Sequence, residues 1–583
     1  MTENSSDVRR STDDAWMTDG SGHPRRWAIL GVLMVSLLIV VLDNTVLNIA
    51  LPTIQEDLQA TQSELVWAVD AYIVVFAALL YTWGVLGDRY GRKRIIIIGL
   101  LVFGAASALS AFSPTPEWLV VTRGIMGIGG AAVMPVTLAI ITVVFPPAER
   151  GRAIGIWAAA VGGAVALGPV LGGLLLQHPE WSNWLTGNDW GSVFLINVPV
   201  VIIGLIGVLR VVPETKNPEP APLDLIGLVL SFVGMLLLVY GIIHSSAETA
   251  WLTAGVILPI TAGIAILAGF LFYESRSEHK SFDVSLFRNR GYAISLTAVC
   301  LAFFALMGLT FTLPFYLQIV RGFDTLTAGL MFLPFAIGQL ISAPRSAKAV
   351  ERFGYKAVMG TGLIFVAVTL YAMTQLDLES SIPLLLLGFF LFGLGMGSVI
   401  SPATAVMQNV LPLSRAGAGS AVQNTVRQLA GALGVAVVGS VLGSRYADNV
   451  APAFADLPSD FPAEEAEQSV VATDAILNGL ESQQVLPVGQ LEQVRQAAYE
   501  AFVSASHATM LLSAVSVTVA VVLVFTLLPA IKPPQQGDQS PTDTWDDADE
   551  DTSREVLAEE GLANDADSNP PATNPKSPPA SGS

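Results

Sequence analysis

The sequence predicts an all-α polytopic membrane protein with fourteen transmembrane helices, arranged as two six-helix bundles plus two inserted helices. Three observations predict it. The 583 residues are 52% hydrophobic and only 13% charged, where soluble domains carry about 25% charged residues. The apolar residues form continuous runs near the roughly 20 residues that a bilayer-crossing helix needs, and they do not alternate as barrel strands do. A short motif also recurs halfway along the chain.

In chain order, residues 1–26 are polar and read as a cytoplasmic segment. The first apolar run is long enough to stay as a span, so no cleaved signal is expected. Spans at 28–49, 65–86, 95–112, 118–142, 153–176 and 192–212 make the first bundle, residues 27–212. Two inserted spans, 225–243 and 252–273, lie with their linkers in 213–290. The second bundle, 291–530, holds spans at 293–317, 326–342, 357–374, 382–399, 425–442 and 508–528. It includes an extracellular acidic loop, 444–507, expected as a solvated cap with a short helix within 483–508. Residues 531–583 are rich in Pro, Ser, Asp and Glu and read as a disordered acidic cytoplasmic tail.

Basic residues test the topology. With the amino terminus inside, 24 of the 29 Lys and Arg fall in cytoplasmic segments and only Arg321, Arg445 and Arg495 outside. That bias follows the positive-inside rule and places both termini in the cytoplasm of a multi-pass cell-membrane protein. Arg123 and Arg427 fall in or at the ends of helices.

Composition also excludes functions. One cysteine, Cys300, rules out a disulfide scaffold and thiolate metal sites, and no metal is expected. A net charge of -19 argues against nucleic acid, although the tail carries much of it. No Walker motif occurs, so ATP is not the energy source. The spans hold no histidine cluster or nucleophile–base set, which disfavours an enzyme, and no cofactor is implied. Glycine strings such as GLGMG (393–397) read as helix-packing faces.

The recurring motif is GDRYGRKR (87–94) against ERFGYK (351–356), at an offset of 263. It pairs span 10 with span 2 and span 9 with span 1. Two parallel halves are a transporter architecture with a substrate site between them near the midplane.

Five stretches together resemble the 14-spanner drug:proton antiporters of the major facilitator superfamily. They are LDNTVLNIALP (42–52), GVLGDRYGRKR (84–94), Arg123 with GIGGA (127–131), ALGPVLGG (166–173) and LPFYLQIVRGFDTLTAGLMFLP (313–334). The resemblance implies the major facilitator fold and proton-driven multidrug efflux. The chain departs from the family pattern at three places. Met126 stands where a Gln is usual, Ala164 replaces the leading glycine of the span 5 motif, and Trp190-Gly191-Ser192-Val193-Phe194 replaces a Trp-Arg-Trp-x-Phe pattern.

Charges within a membrane cost roughly 2.5–3.5 kcal/mol each, so each needs a reason. Asp43 in span 1 has two readings: it takes up a proton, a cationic substrate or each in turn, or it caps backbone or pairs locally. Asp70 is either a second acidic site for cations or an acid in the first turn of a helix. Arg123 in span 4 must pair or face water, and the resemblance implies a proton-coupling role for it. Gly84, Asp88, Arg89, Gly91 and Arg92, with Glu351 and Arg352 in the second half, form gating loops, which in the family latch the halves on the cytoplasmic face. Gly168, Pro169, Gly172 and Gly173 match the antiporter motif, which implies antiport. Trp67, Tyr72, Trp157, Phe315 and Tyr316 could stack on flat or cationic ligands. Arg427, with Gln423 and Asn424, could line the cavity of the second half or sit at the cytoplasmic interface, where Arg427 is expected to snorkel. Asp224 reads as a helix N-cap.

The expected function is export of hydrophobic or cationic compounds by alternating access. The partners are a small-molecule substrate, protons and the bilayer, and the chain acts as a monomer without nucleic acid. The alternatives are a dedicated exporter of a lipid, siderophore or antibiotic, and a transport-inactive membrane sensor.

Overall fold

The computed structural model describes residues 22–60, 62–216, 224–247, 253–276, 284–411, 416–455, 457–458, 461–482 and 487–531. Most of the expected amino-terminal segment and the whole acidic tail beyond Ile531 lie outside the described residues. Among the described residues every regular element is a helix. The longer ones are α1 (Arg26–Leu58), α2 (Gln62–Tyr90), α3 (Arg92–Ala111), α4 (Pro116–Val144), α5 (Pro147–Gln177), α6 (Asn197–Val211) and α7 (Leu225–Ala247). They continue with α8 (Ala254–Arg276), α9 (Arg290–Phe315), α10 (Leu333–Met373), α11 (Ile382–Asn409), α12 (Ala416–Phe454), α13 (Val470–Ser482) and α14 (Val488–Leu527).

Twelve helical stretches among the described residues are long and apolar enough to cross a membrane. The difference from the expected fourteen spans lies at two places. One stretch, Thr327–Met373, runs through two expected spans and bends at Gly354. The other is α5, which covers the expected fifth span but is not among the twelve.

Local sequence sets several helix starts. Thr115 caps α4, accepting from the Trp118 N–H, with Pro116 in the first turn. Asn289 caps α9 through the Tyr292 N–H at 3.1 Å. Asp224 accepts from the Gly227 N–H at 2.9 Å ahead of α7, as the sequence predicts.

Packing follows apolarity. Of the apolar window of α4, 94% is buried, whereas α8 has 17%. So α4 is an interior helix and α8 lies at the periphery, against α7. α2 packs on α4, α3 on α4 and α6, and α1 on α5 and α6. In the second half α9 packs on α12 and α14, and α10 on α11. Helices of the two halves meet where α5 packs on α10 and α11, and where α12 packs on α2 and α4.

The repeat is visible in the backbone. Gly91 has φ +109° and Gly354 has φ +80°, a left-handed region open to glycine. These are the two glycines that the offset of 263 aligns. A close helix contact also recurs, with Gly99 and Gly362 at the offset of 263 and their partners Gly129 and Gly395 at 266. A Cβ on Gly99 would stand 2.8 Å from the Gly129 carbonyl oxygen, and one on Gly362 would stand 2.8 Å from that of Gly395. The GLGMG string is therefore a packing face, the counterpart of GIGGA in α4.

The outer loop is more structured than expected. Besides the start of α14, it contains α13 and a prolonged α12. Arg495 on α14 bonds Asn478 at 2.8 Å and Glu481 at 3.0 Å on α13, and Tyr446 on α12 bonds Thr473 at 2.6 Å. Phe311, Phe315, Gly439, Leu442, Tyr446, Val470 and Phe502 help to line a cavity of about 260 Å³ beneath this cap.

Candidate functional site

The spans of the first half place a buried ion pair at their centre. The Arg123 guanidinium on α4 donates to Asp43 Oδ2 on α1, and both side chains are almost wholly removed from solvent. Asn197 on α6 donates to the other carboxylate oxygen at 2.8 Å and to Ser107 on α3 at 2.9 Å. The Arg123 Nε donates to the Ala68 carbonyl on α2 at 3.2 Å, and its guanidinium lies 4.6 Å from the Tyr72 ring centroid. Tyr72 in turn donates to the Val40 carbonyl on α1 at 3.3 Å. One charge pair thus ties four helices, α1, α2, α4 and α6, and a polar residue of α3.

Of the two readings for Asp43, the structure shows a local pair inside the first bundle. Tyr72 forms a wall of that pair and is buried, which departs from an open stacking surface. Met126, which replaces the usual Gln, offers its sulfur 3.8 Å from Arg123 Nη1, while Nη2 has no partner among the described residues. Asn197 was missed. The signal for it is a lone amide inside an otherwise apolar run.

The gating loop has its own geometry. Asp88 accepts from Arg92 at 2.6 Å and 3.0 Å. Across the interface it also accepts from the Gly417 and Ala418 N–H groups, each at 2.9 Å. Those amides belong to the first turn of α12, which has no intrahelical acceptor for them. Gly84 lets α2 approach this turn, because a Cβ there would stand 2.6 Å from the Gly417 carbonyl oxygen. The Gly91 turn is held by Glu214, which accepts from the Lys93 N–H at 3.1 Å, and by Arg92 N–H to Thr215 O at 2.9 Å. Arg89 lies 5.7 Å from the Tyr90 ring. The equivalent residues of the second half differ: Glu351 and Arg352 are exposed, and Arg352 lies over Phe353 at 5.3 Å.

Several other candidates lie apart from one another. Asp70 is half-buried on α2. Trp67 is partly exposed and stacks at 5.7 Å on Tyr240 of the inserted α7. Phe315 lines the cavity under the cap, and Tyr316 donates to the Asp377 carbonyl at 2.7 Å in an outer loop. Gly168, Gly172 and Gly173 lie along α5, which continues helical through Pro169. The side chain of Pro169 lies outside the described residues. Gly168 faces Thr45 of α1 closely. Trp190, in the altered outer pattern, is buried and donates to Asp57 at 2.8 Å.

Of the two readings for Arg427, the structure departs from the interfacial, snorkelling one. The residue is 5% exposed, at the meeting of both halves. Its guanidinium lies 5.3 Å from the Trp157 ring of α5 and 5.0 Å from the Phe303 ring of α9. It donates to Asn424 Oδ1 at 2.6 Å and reaches the Met134 sulfur of α4 at 3.4 Å. Nearby, Thr142 of α4 donates to Gln408 of α11 at 3.3 Å, a further polar contact between the halves.

Comparison with known proteins bears on the whole arrangement. Residues 33–435 match the Major Facilitator Superfamily. The multidrug efflux pump LfrA of Mycolicibacterium smegmatis is 35% identical over 501 residues, 86% of this chain and 96% of that protein. The tetracenomycin C resistance and export protein of Streptomyces glaucescens is 33% identical over 446 residues, 76% of this chain and 81% of that protein. A solved bacterial homologue of the human lysosomal transporter Spinster is similar in fold, with a TM-score of 0.53 at 18% identity, covering 86% of this chain and 98% of that one. The helical architecture, the repeat and these likenesses converge: the chain belongs to the Major Facilitator Superfamily of multi-pass membrane transporters.

Proposed function

We propose that this chain is a proton-coupled efflux transporter that exports hydrophobic and cationic compounds across the cell membrane by alternating access. It acts as a single chain of fourteen crossings with both termini in the cytoplasm. The observation that carries the reading is the Asp43–Arg123 pair, buried within the first bundle and shared among its helices. A proton taken up by Asp43 neutralises the carboxylate. Arg123 then keeps the Ala68 carbonyl, the Met126 sulfur and the Tyr72 ring, and Asn197 loses its charged acceptor.

Magnitudes support a switch. Removing one partner of a buried pair costs roughly 3–5 kcal/mol. One charge moved through 100 mV supplies about 2.3 kcal/mol, so one or two protons match the cost of leaving Arg123 without its carboxylate. Asp88, bound to the first turn of α12, closes the cytoplasmic end until the halves rock apart. The names of the relatives, multidrug efflux and antibiotic export, support the cargo class.

The test is ethidium efflux from cells or vesicles that carry the chain. Efflux is expected to collapse with an uncoupler and to be lost in Asp43→Asn while that variant still reaches the membrane. Efflux that ignores the uncoupler overturns the antiport mechanism.

A further inference from the structure

Arg427 is the buried cation that the proton switch does not use. A charged guanidinium within the membrane normally pairs with a carboxylate or faces water. Here the facing groups are Trp157 of α5, Met134 of α4, Phe303 of α9 and Asn424 of its own helix, and no carboxylate pairs with it among the described residues. The membrane carboxylates are engaged or placed elsewhere: Asp43 with Arg123, Asp88 with Arg92, Glu274 near Tyr81, and Asp70 nearer the outer end of α2.

The surroundings are rich in donors and poor in acceptors. Among the described residues the acceptors that Arg427 meets, Asn424 Oδ1 and the Met134 sulfur, both lie on Nη2. Gln423, one turn earlier on the same face, has a buried side-chain N–H₂ with no partner among the described residues. The Asn424 amide is committed, its N–H₂ to the Ser420 carbonyl at 2.9 Å and its oxygen to Arg427. The Trp157 indole is held by Thr137 at 3.2 Å, which fixes one aromatic wall. Buried donors without acceptors are costly, and an anion relieves that cost with strong, charge-assisted bonds.

We infer that Arg427 and Gln423, walled by Trp157 and Phe303, form a binding site for the anionic group of an aromatic acid, a carboxylate or sulfonate. This deepens the efflux reading, on which it rests, by adding acidic aromatic compounds to the cargo. The site draws walls from both halves, Trp157 and Met134 from the first and Phe303 and Arg427 from the second. Rocking the halves apart therefore opens one side of the anion's cage and releases it.

The test uses the full chain in nanodiscs of neutral lipid. Binding of radiolabelled naphthalene-1-sulfonate and of radiolabelled ethidium is measured by scintillation proximity without any proton gradient. The unaltered chain is expected to bind the sulfonate saturably. Arg427→Gln is expected to shift the ratio of sulfonate to ethidium affinity by about tenfold, and Arg427→Lys, which keeps the charge, by less. Absence of saturable sulfonate binding to the unaltered chain overturns the proposal whether or not the variants fold. An unchanged ratio in a folded Arg427→Gln protein overturns it too. Ethidium efflux that still collapses with an uncoupler keeps the antiport reading standing even when the sulfonate does not bind.

Discussion

Asp43 and Arg123 act as one unit, so their variants should not add. Asp43→Ala leaves a buried, uncompensated guanidinium and is expected to cost roughly 3–5 kcal/mol of stability. The double variant Asp43→Ala with Arg123→Ala should lose less than the sum of the singles, read by thermal unfolding of the purified protein as a double-mutant cycle. Simple additivity would mean that the pair does not couple its helices. Arg123→Lys should recover little transport, because the Nε bond to Ala68 and the stacking on Tyr72 need a planar guanidinium. A second residue-scale effect lies outside the membrane, at Glu214. Burial pushes its carboxyl up, against the Lys93 N–H and the charge of Arg94. Between the ordinary carboxylate range and that raised value, the folded chain keeps a proton that the unfolded chain has released. Stability contributed by the neutral form is therefore present at low pH and lost as pH rises through that window. Glu214→Gln should remove this slope, seen as a flatter dependence of unfolding temperature on pH.

Among elements, the contacts of Gly99 with Gly129 and of Gly362 with Gly395 set how closely α3 approaches α4, and how closely the second limb of α10 approaches α11. A methyl group at either site meets backbone, which cannot swing aside. Gly129→Ala and Gly395→Ala are each expected to destabilise by about 1–3 kcal/mol, measured by thermal unfolding. Neutral effects at both would show that the helices have room to separate. At the loop end of α2, Asp88→Asn keeps an acceptor but loses its charge towards Arg92 and the first turn of α12. In a background with Cys300→Ser, a cysteine placed at Val422 should then be labelled about tenfold faster from the cytoplasmic side. Unchanged labelling would leave Asp88 as a local tie to Arg92 and not a latch. The tie is legible in the motif only up to the loop itself. Its partner, the bare amides of Gly417 and Ala418, follows more than 300 residues later and carries no side-chain signal.

For the whole molecule, the apolar runs dictate helices because no water in the bilayer satisfies backbone polar groups, and the offset of 263 between Gly91 and Gly354 shows the duplication. Those features depend on local composition and spacing, and composition survives as a one-dimensional signal. Helix N-caps such as Asp224 are legible for the same reason, since their partner lies three residues away. What the chain alone leaves open is which polar side chains meet. Asp43 and Arg123 are 80 residues apart, and the sequence offers both a free and a paired reading for the aspartate. Arg427, near a predicted span boundary, reads as an interfacial arginine until α12 is seen to begin nine residues before the expected span start, at Ala416. That shift carries the guanidinium inward, between Trp157 and Phe303. By itself the sequence determined the helical class, the duplication and the superfamily. Only the tertiary structure decided that one buried cation is neutralised by a carboxylate and another meets no carboxylate among the described residues, because pairing depends on which helix faces meet, and that is settled by packing within and across the halves.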